Sequence, residues 1–176
     1  MIDNPRSPRV RAAAKLAKKN QRAETGLFLI EGPQAVAEAL QYRPDLVTEV
    51  FATSAALDRH PAIVRAASSA GLRIETVTDA VLETIADTVT PQGVVAVCRQ
   101  FPMALDELLA TRPRLVAVLE EVRDPGNAGT IIRVADAAGA DAIILTGLSV
   151  DVFNPKVVRA TTGSLFHLPV VVGQVV

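Results

Sequence analysis

Little in this chain of 176 residues can ligate, cross-link or stack. Its one cysteine is Cys98, in GVVAVCRQ. No disulfide can therefore form within the chain, and no metal-ligand spacing exists, so no metal is expected. Cys98 reads as a small core residue in a protein of the reducing cytoplasm. There is no tryptophan, and aromatic residues make up 3%. Platforms on which single-stranded bases stack are scarce at that level. No apolar run reaches the ~18 residues of a membrane span. The basic N-terminus lacks the apolar stretch of a secretory signal. Neither G-x-x-x-x-G-K-[ST] nor G-x-G-x-x-G occurs, which weakens a nucleotide or dinucleotide reading. A net charge of −1 points to no particular partner.

The average charge hides an asymmetry. Residues 1–25 carry Arg6, Arg9, Arg11, Lys15, Lys18, Lys19 and Arg22 against Asp3 and Glu24. That balance of +5 leaves −6 for the rest. Such a split suggests an arm that meets an anion, nucleic acid being the usual candidate. A helix is expected over about 7–22, because Val10, Ala13, Ala14 and Ala17 make an apolar stripe. Arg11, Lys15, Lys18 and Arg22 run beside it, either as a solvated face or as a face that tracks phosphates.

Apolar residues make up 49%, enough for a packed core. Strand-like and helix-like stretches alternate. LFLI, TEVFAT, LRIETV and GVVAVC read as strands, with helices from Pro33, around 55–70 and over 78–87. That βαβ rhythm implies a mostly parallel sheet covered by helices. Residues 99–113, with Pro102 and Pro113, read as a linker between domains at 1–98 and 114–176. In the second domain RLVAVLE is a continuous apolar strand, as expected when both faces are buried. DAIILTG is the next strand. FNPKVVRATTGSL is a helix with Asn154 as cap, Pro155 in its first turn and Gly163 as its stop. LPVVVGQVV is a closing strand. No element remains to cover that strand, so the chain is expected to be incomplete at its C-terminus or to complete itself with a partner.

The stretch DPGNAGTIIRVADAAGADAIIL, from Asp124 to Leu145, stands apart. It begins at the carboxyl end of a parallel strand, where open α/β sheets place ligands. Gly126 and Gly129 let a ligand approach the backbone. Arg133, four residues after Gly129, can lean back towards the loop, with Asn127 holding its guanidinium. The plainer reading makes Asn127 an N-cap and pairs Arg133 with Asp136 on the surface.

DPGNAGTIIRVADAAGADAIIL closely resembles the first motif of the SpoU (TrmH-like) RNA 2′-O-ribose methyltransferases of the SPOUT superfamily. NPKVVRATTGSLFHLPVV resembles their second motif. SPRVRAAAKLAKKNQRAETGLFLIEGPQAVAEAL and TPQGVVAVC are similar to the ribosomal-protein-like RNA-binding domain that precedes catalysis in many members. The third motif is absent; in the family it threads a trefoil knot that forms most of the S-adenosylmethionine pocket. The resemblance implies an RNA-binding α/β domain followed by an incomplete SPOUT methyltransferase domain. It implies methyl transfer from S-adenosylmethionine to a ribose 2′-OH of structured, ribosomal RNA by a longer parent. It also implies a homodimer through the catalytic half, and a shortened chain that is inactive and does not bind the cofactor alone. Arg133 would be the family's catalytic arginine and Asn127 its partner. A guanidinium is a poor base, so a cationic clamp fits Arg133 better.

Further residues are expected at these sites. Thr162, Gly163 and Ser164 either line the rim of the cofactor site or end a helix. Arg9, Arg11, Lys15, Lys18, Lys19 and Arg22 are the candidate RNA contacts, joined by Glu31 and Gln92 on loops at strand ends. Lys156 and Arg159 read as solvated, or as RNA or partner contacts. His167, between Phe166 and Leu168, reads as a satisfied, half-buried histidine. A non-catalytic RNA-binding module is the competing function.

Overall fold

A computed structural model describes residues 1–174, and the chain divides into two units, Met1–Gln100 and Phe101–Val176. The last two residues of the expected closing strand, Val175 and Val176, lie outside the described residues.

The first unit opens with two helices, α1 (Pro8–Lys15) and α2 (Lys19–Thr25). The single helix expected over 7–22 is thus broken. Lys18 takes an extended backbone (φ −90, ψ 133) and starts α2, so the basic stripe drawn along one helix does not exist as such. The strands are β1 (Leu27–Glu31), β2 (Val47–Ala52), β3 (Ile74–Thr76) and β4 (Val94–Arg99). Between them lie α3 (Pro33–Tyr42), α4 (Ser54–Arg59), α5 (Pro61–Ser69) and α6 (Asp79–Ile85). The helix expected around 55–70 is divided at His60–Pro61, since a residue before proline avoids helical backbone.

The sheet order is β1-β4-β2-β3. It is mixed rather than mostly parallel, because β4 runs antiparallel to both β1 and β2. The cause is local. Glu31, closing β1, accepts hydrogen bonds from the Asp87 and Thr88 N–H groups at 2.8 and 3.3 Å, and from the Thr88 hydroxyl at 2.9 Å. The chain leaving α6 is thereby tied to the edge where β1 ends. It re-enters the sheet from that edge, so β4 must run the other way. The core joins Val10, Ala13 and Leu16 to Leu29, Phe51, Val81, Leu82, Val95 and Val97. Cys98 is buried, and burial pushes its thiol up, as expected of a core residue.

Phe101–Val176 begins with the segment expected to be a linker. It is not one. Helix α7 (Leu105–Ala110) packs Leu108 against Ala142 and Val171, and Pro102 bridges Val170. Strands β5 (Val116–Glu120), β6 (Ala142–Thr146) and β7 (Val170–Gln174) form a parallel sheet in that order, with α8 (Pro125–Ala137) and α9 (Pro155–Thr161) between them. The alternating parallel pattern was read correctly here. The burial of β5 was not. Val118 is 58% exposed, because β5 is an edge strand and one face stays open. The carboxylate of Asp141 accepts from the Leu115 and Arg114 N–H groups, which hold it below the usual carboxylate range and fix the entry to β5.

Candidate functional site

The described geometry divides the N-terminal cations into groups. Arg9 is bound to Glu49 at 2.7 Å and Glu75 at 3.4 Å, with its guanidinium 5.8 Å from the Phe51 ring centre. That arginine ties α1 to the sheet. Arg22 is only 2% exposed, and donates to the Leu16 and Ala17 carbonyls at 2.9 and 2.8 Å. It is therefore removed from the RNA-facing set, for its donors are committed inside the fold. Arg11, Lys15, Lys18 and Lys19 are exposed, and their side chains make no hydrogen bond or ion pair with any described residue. Glu31 holds the chain at 87–88, as above, while Gln92 is exposed. A Cβ at Gly32 would lie 3.3 Å from Gln92 Oε1, so the two loops chosen from sequence meet at one edge of the sheet.

In the second unit the first motif starts just after β5 and forms all of α8 and most of β6. The cap is Asp124, not Asn127: its carboxylate accepts from the Asn127 N–H at 2.7 Å. Asp124 satisfies a first-turn donor and Pro125 follows where no donor is needed. A cleft of about 410 Å³ opens beside it, lined by Glu121, Val122, Arg123, Asp124, Asn127, Thr130 and Ile131. Glu121 and Arg123 were not singled out from sequence. Glu121 adopts a left-handed backbone (φ 47) as the strand ends, a conformation that no spacing pattern announces.

The two glycines part company. A Cβ at Gly126 would meet only Asp124 Oδ1, at 3.2 Å. At Gly129 it would fall 2.3 Å from Ala160 Cβ, 2.9 Å from the Ala160 carbonyl carbon and 3.0 Å from the Val157 oxygen. The face that Gly129 leaves bare is filled by α9, not by a ligand. That contact brings the two motifs together.

The Arg133 side chain is exposed and hydrogen-bonded to no described residue. The expected surface pair with Asp136 does not form, because Asp136 Oδ2 lies 2.7 Å from His167 Nδ1. His167 and Asp136 are each 24% exposed, and together they join α8 to the 3₁₀ turn Ser164–His167. Asn127 does not hold the Arg133 guanidinium either. Six residues of helix separate them, a rotation that puts them on different faces. Asn127 lies with Thr130 and Ile131 along the cleft, and Arg133 is not among its walls.

Helix α9 begins as expected, with the Asn154 side chain accepting from the Lys156 N–H at 2.9 Å and Pro155 following. Lys156 is exposed and Arg159 partly buried. The helix ends at Thr162 (φ 49), with Gly163 (φ 100) next. Two successive left-handed residues reverse the chain, and glycine is the residue that carries the second without strain. Thr162 is exposed and Ser164 half-buried, whereas Thr161 is buried with its hydroxyl spent on the Val158 carbonyl at 2.7 Å.

One group here was missed. Thr146, at the carboxyl end of central strand β6, is 3% exposed, and its Oγ1 is a buried atom without a hydrogen-bond partner among the described residues. The signal was present: it is the single polar residue ending the apolar run AIILT. A buried hydroxyl left unpaired costs about 1–3 kcal/mol. Thr146→Val, which keeps the shape and removes the hydroxyl, is expected to raise the thermal midpoint of the chain. A lowered midpoint in differential scanning calorimetry would show that the hydroxyl is already satisfied.

Two family models match the chain in succession. Residues 29–104 match the RNA 2′-O ribose methyltransferase substrate-binding model, and residues 114–175 match the SpoU rRNA methylase family. The 23S rRNA (guanosine(2553)-2′-O)-methyltransferase RlmP of Bacillus subtilis is 37% identical over 170 residues, covering 97% of this chain and 64% of that protein. The AdoMet-bound rRNA methyltransferase of Sinorhizobium meliloti superposes with a TM-score of 0.81 at 32% identity, over 98% of this chain and 64% of that one. The SpoU methyltransferase AviRb of Streptomyces viridochromogenes, solved with AdoMet, superposes at 0.76 with 30% identity, over 95% and 63%. A substrate-binding unit followed by a parallel α/β unit carrying two paired motifs defines the class of RNA-modifying methyltransferases. The chain belongs to the SpoU family of RNA 2′-O-ribose methyltransferases. It spans about 64% of the length of these relatives.

Proposed function

We propose that the protein acts, in an enzyme of its relatives' length, on ribosomal RNA, methylating a ribose 2′-OH. The observation that carries this is Arg133. It is a surface cation inside the family's first motif, left free because His167 takes the neighbouring carboxylate. Its role in this reading is to grip a backbone phosphate and align the adjacent 2′-OH. It also stabilises the negative charge that grows on that oxygen as the proton leaves. Such a clamp needs no proton uptake by the guanidinium.

The residues at the sheet's carboxyl end suit S-adenosylmethionine. The buried hydroxyl of Thr146 has no partner among the described residues, and Thr162, Gly163 and Ser164 offer a hydroxyl-rich turn with left-handed backbone. These would hold the cofactor together with the part of the relatives' length that this chain does not span. S-adenosylmethionine supplies the methyl group. Asn127, facing the cleft, orients the ribose. Asn127 and Arg133 occupy different faces of α8, and a second copy set against that helix would reunite them in one site, which favours a homodimer. In the first unit Arg11, Lys15, Lys18 and Lys19 meet RNA phosphates, with Gln92 and the Glu31 loop at the sheet edge. No helix among the described residues is long and apolar enough to cross a membrane.

The competing reading is a non-catalytic RNA-binding module, favoured by the exposed Arg11, Lys15, Lys18 and Lys19 of the first unit. Calorimetric titration with S-adenosylmethionine, beside a tritium-methyl transfer assay on ribosomal RNA, separates the two. Methyl transfer by an enzyme of the relatives' length carrying residues 1–176, with little cofactor affinity in the 176-residue chain, is the expected pair of results. RNA binding without methyl transfer in either form leaves the module.

A further inference from the structure

We propose that the elbow between α1 and α2 is a phosphate-binding corner for the RNA backbone, and that the buried Arg22 is the positioning residue that holds its shape. This rests on the RNA reading of the first unit given above.

Three observations meet at the elbow. The first is the bend itself. Leu16 continues the helical backbone, Lys18 is extended, and α2 starts at Lys19. The Leu16 side chain is 3% exposed in the core, so the inner side of the bend is anchored. The second is Arg22. One of its nitrogens, Nη1, donates to both Leu16 O and Ala17 O, the carbonyls that the end of α1 leaves open. Its own carbonyl accepts from Gly26 N–H at 2.9 Å and from Gln100 Nε2 at 3.1 Å, which fastens the clamp to the end of β4. The third is what the bend displays. Lys15, Lys18 and Lys19 fall within five positions, all exposed, with Arg11 one helical turn before them. None pairs with a carboxylate; Glu24, the acidic residue of this arm nearest in sequence, accepts from Gln21 at 3.2 Å.

Burying a guanidinium is costly unless its donors are used, and here Nη1 serves a two-residue bend. An apolar residue would pack the same space with less desolvation. What the arginine adds is a fixed path for Leu16–Lys18, and that path sets the spacing of the lysines around it. Like charges held together repel each other, and a phosphate backbone relieves the repulsion while releasing counterions. A preformed corner also avoids ordering several long side chains on binding. The sequence placed Arg22 in one stripe with the lysines. The structure puts it behind them.

The test is fluorescence anisotropy of the 176-residue chain with a fluorescein-labelled RNA stem-loop, measured over a range of KCl concentrations. Replacing Lys18 and Lys19 by Gln is expected to flatten the slope of log affinity against log salt by about two, near one for each lost phosphate contact. Arg22→Lys keeps the net charge but cannot span both carbonyls in the same way. It is expected to bind roughly three- to tenfold more weakly, the range for re-ordering one or two long side chains, with a shallower salt slope. A fold-only role would lower the melting temperature and leave the slope alone. Arg22→Met should go further in the same direction; if it does not fold, Arg22→Lys decides. Wild-type affinity and slope in a folded Arg22→Lys protein would overturn the clamp, and an unchanged slope in the lysine variant would overturn the corner. Absence of salt-dependent binding by the wild type would instead overturn the RNA reading on which both rest.

Discussion

Gly129→Ala is expected to unfold the second unit well below the melting temperature of the wild type. The added methyl would sit 2.3 Å from Ala160 Cβ and within 3.0 Å of two backbone atoms of α9. Backbone cannot swing aside as a lysine tip does, so α8 and α9 must separate. Overpacking of this kind costs about 1–3 kcal/mol and sometimes more. The gain from replacing a helical glycine, about 1 kcal/mol, offsets part of that. A net loss at the upper end of that range, about 2 kcal/mol, lowers the midpoint of a unit this size by about 10 °C. Gly126→Ala is the control. Its methyl meets only the Asp124 carboxylate at 3.2 Å, so it should be neutral or slightly stabilising. Hydrogen exchange would localise the effect: amides of α8 and α9 should lose protection, and those of residues 1–100 should not. Equal melting temperatures for the two glycine variants would refute the close packing of the two motifs.

Arg133→Ala has the largest expected effect on chemistry and almost none on the fold. The side chain is exposed and bonded to no described residue, and surface substitutions of that kind change stability by less than about 0.5 kcal/mol. In an enzyme of the relatives' length, methyl transfer is expected to fall by about 10²–10³, the usual loss when one preorganised donor to a developing charge is removed. Arg133→Lys keeps the charge and loses the planar fork. A clamp that works through charge predicts partial turnover in that variant. Near-complete loss with lysine would mean that the bidentate geometry, not the charge, is what the reaction needs. Asp136→Asn is a useful companion. It weakens the pair with His167 and should disturb the turn at 164–167 without removing the guanidinium.

Much of the second unit was legible because its signals are local. Alternating apolar runs and proline-started helices mark β5 to β7, α8 and α9, and Asn154 with Pro155 marks the cap of α9, whereas the cap of α8 falls at Asp124 and not at Asn127. What failed depends on contacts far apart in the chain. The direction of β4 is set by Glu31 gripping residues 87–88, which no periodicity reveals. Arg22 looks like a surface cation until the break at Lys18 folds α2 back and buries it. Gly129 looks like room for a ligand until α9 fills it. Arg133 and Asp136, three apart on one helix, look like a pair until His167 arrives from thirty-one residues further along. The partners drawn for the candidate residues were therefore wrong wherever the true partner lies far along the chain.

The most direct measurement follows the Arg133 side chain itself. In a ¹⁵N-labelled chain titrated with an RNA stem-loop, and separately with its DNA counterpart, the Arg133 Nε–Hε resonance should move with RNA, move less with DNA, and return as salt is added. A resonance that stays still while the lysines of the first unit respond to RNA would contradict the assignment of Arg133 to the ribose-phosphate backbone.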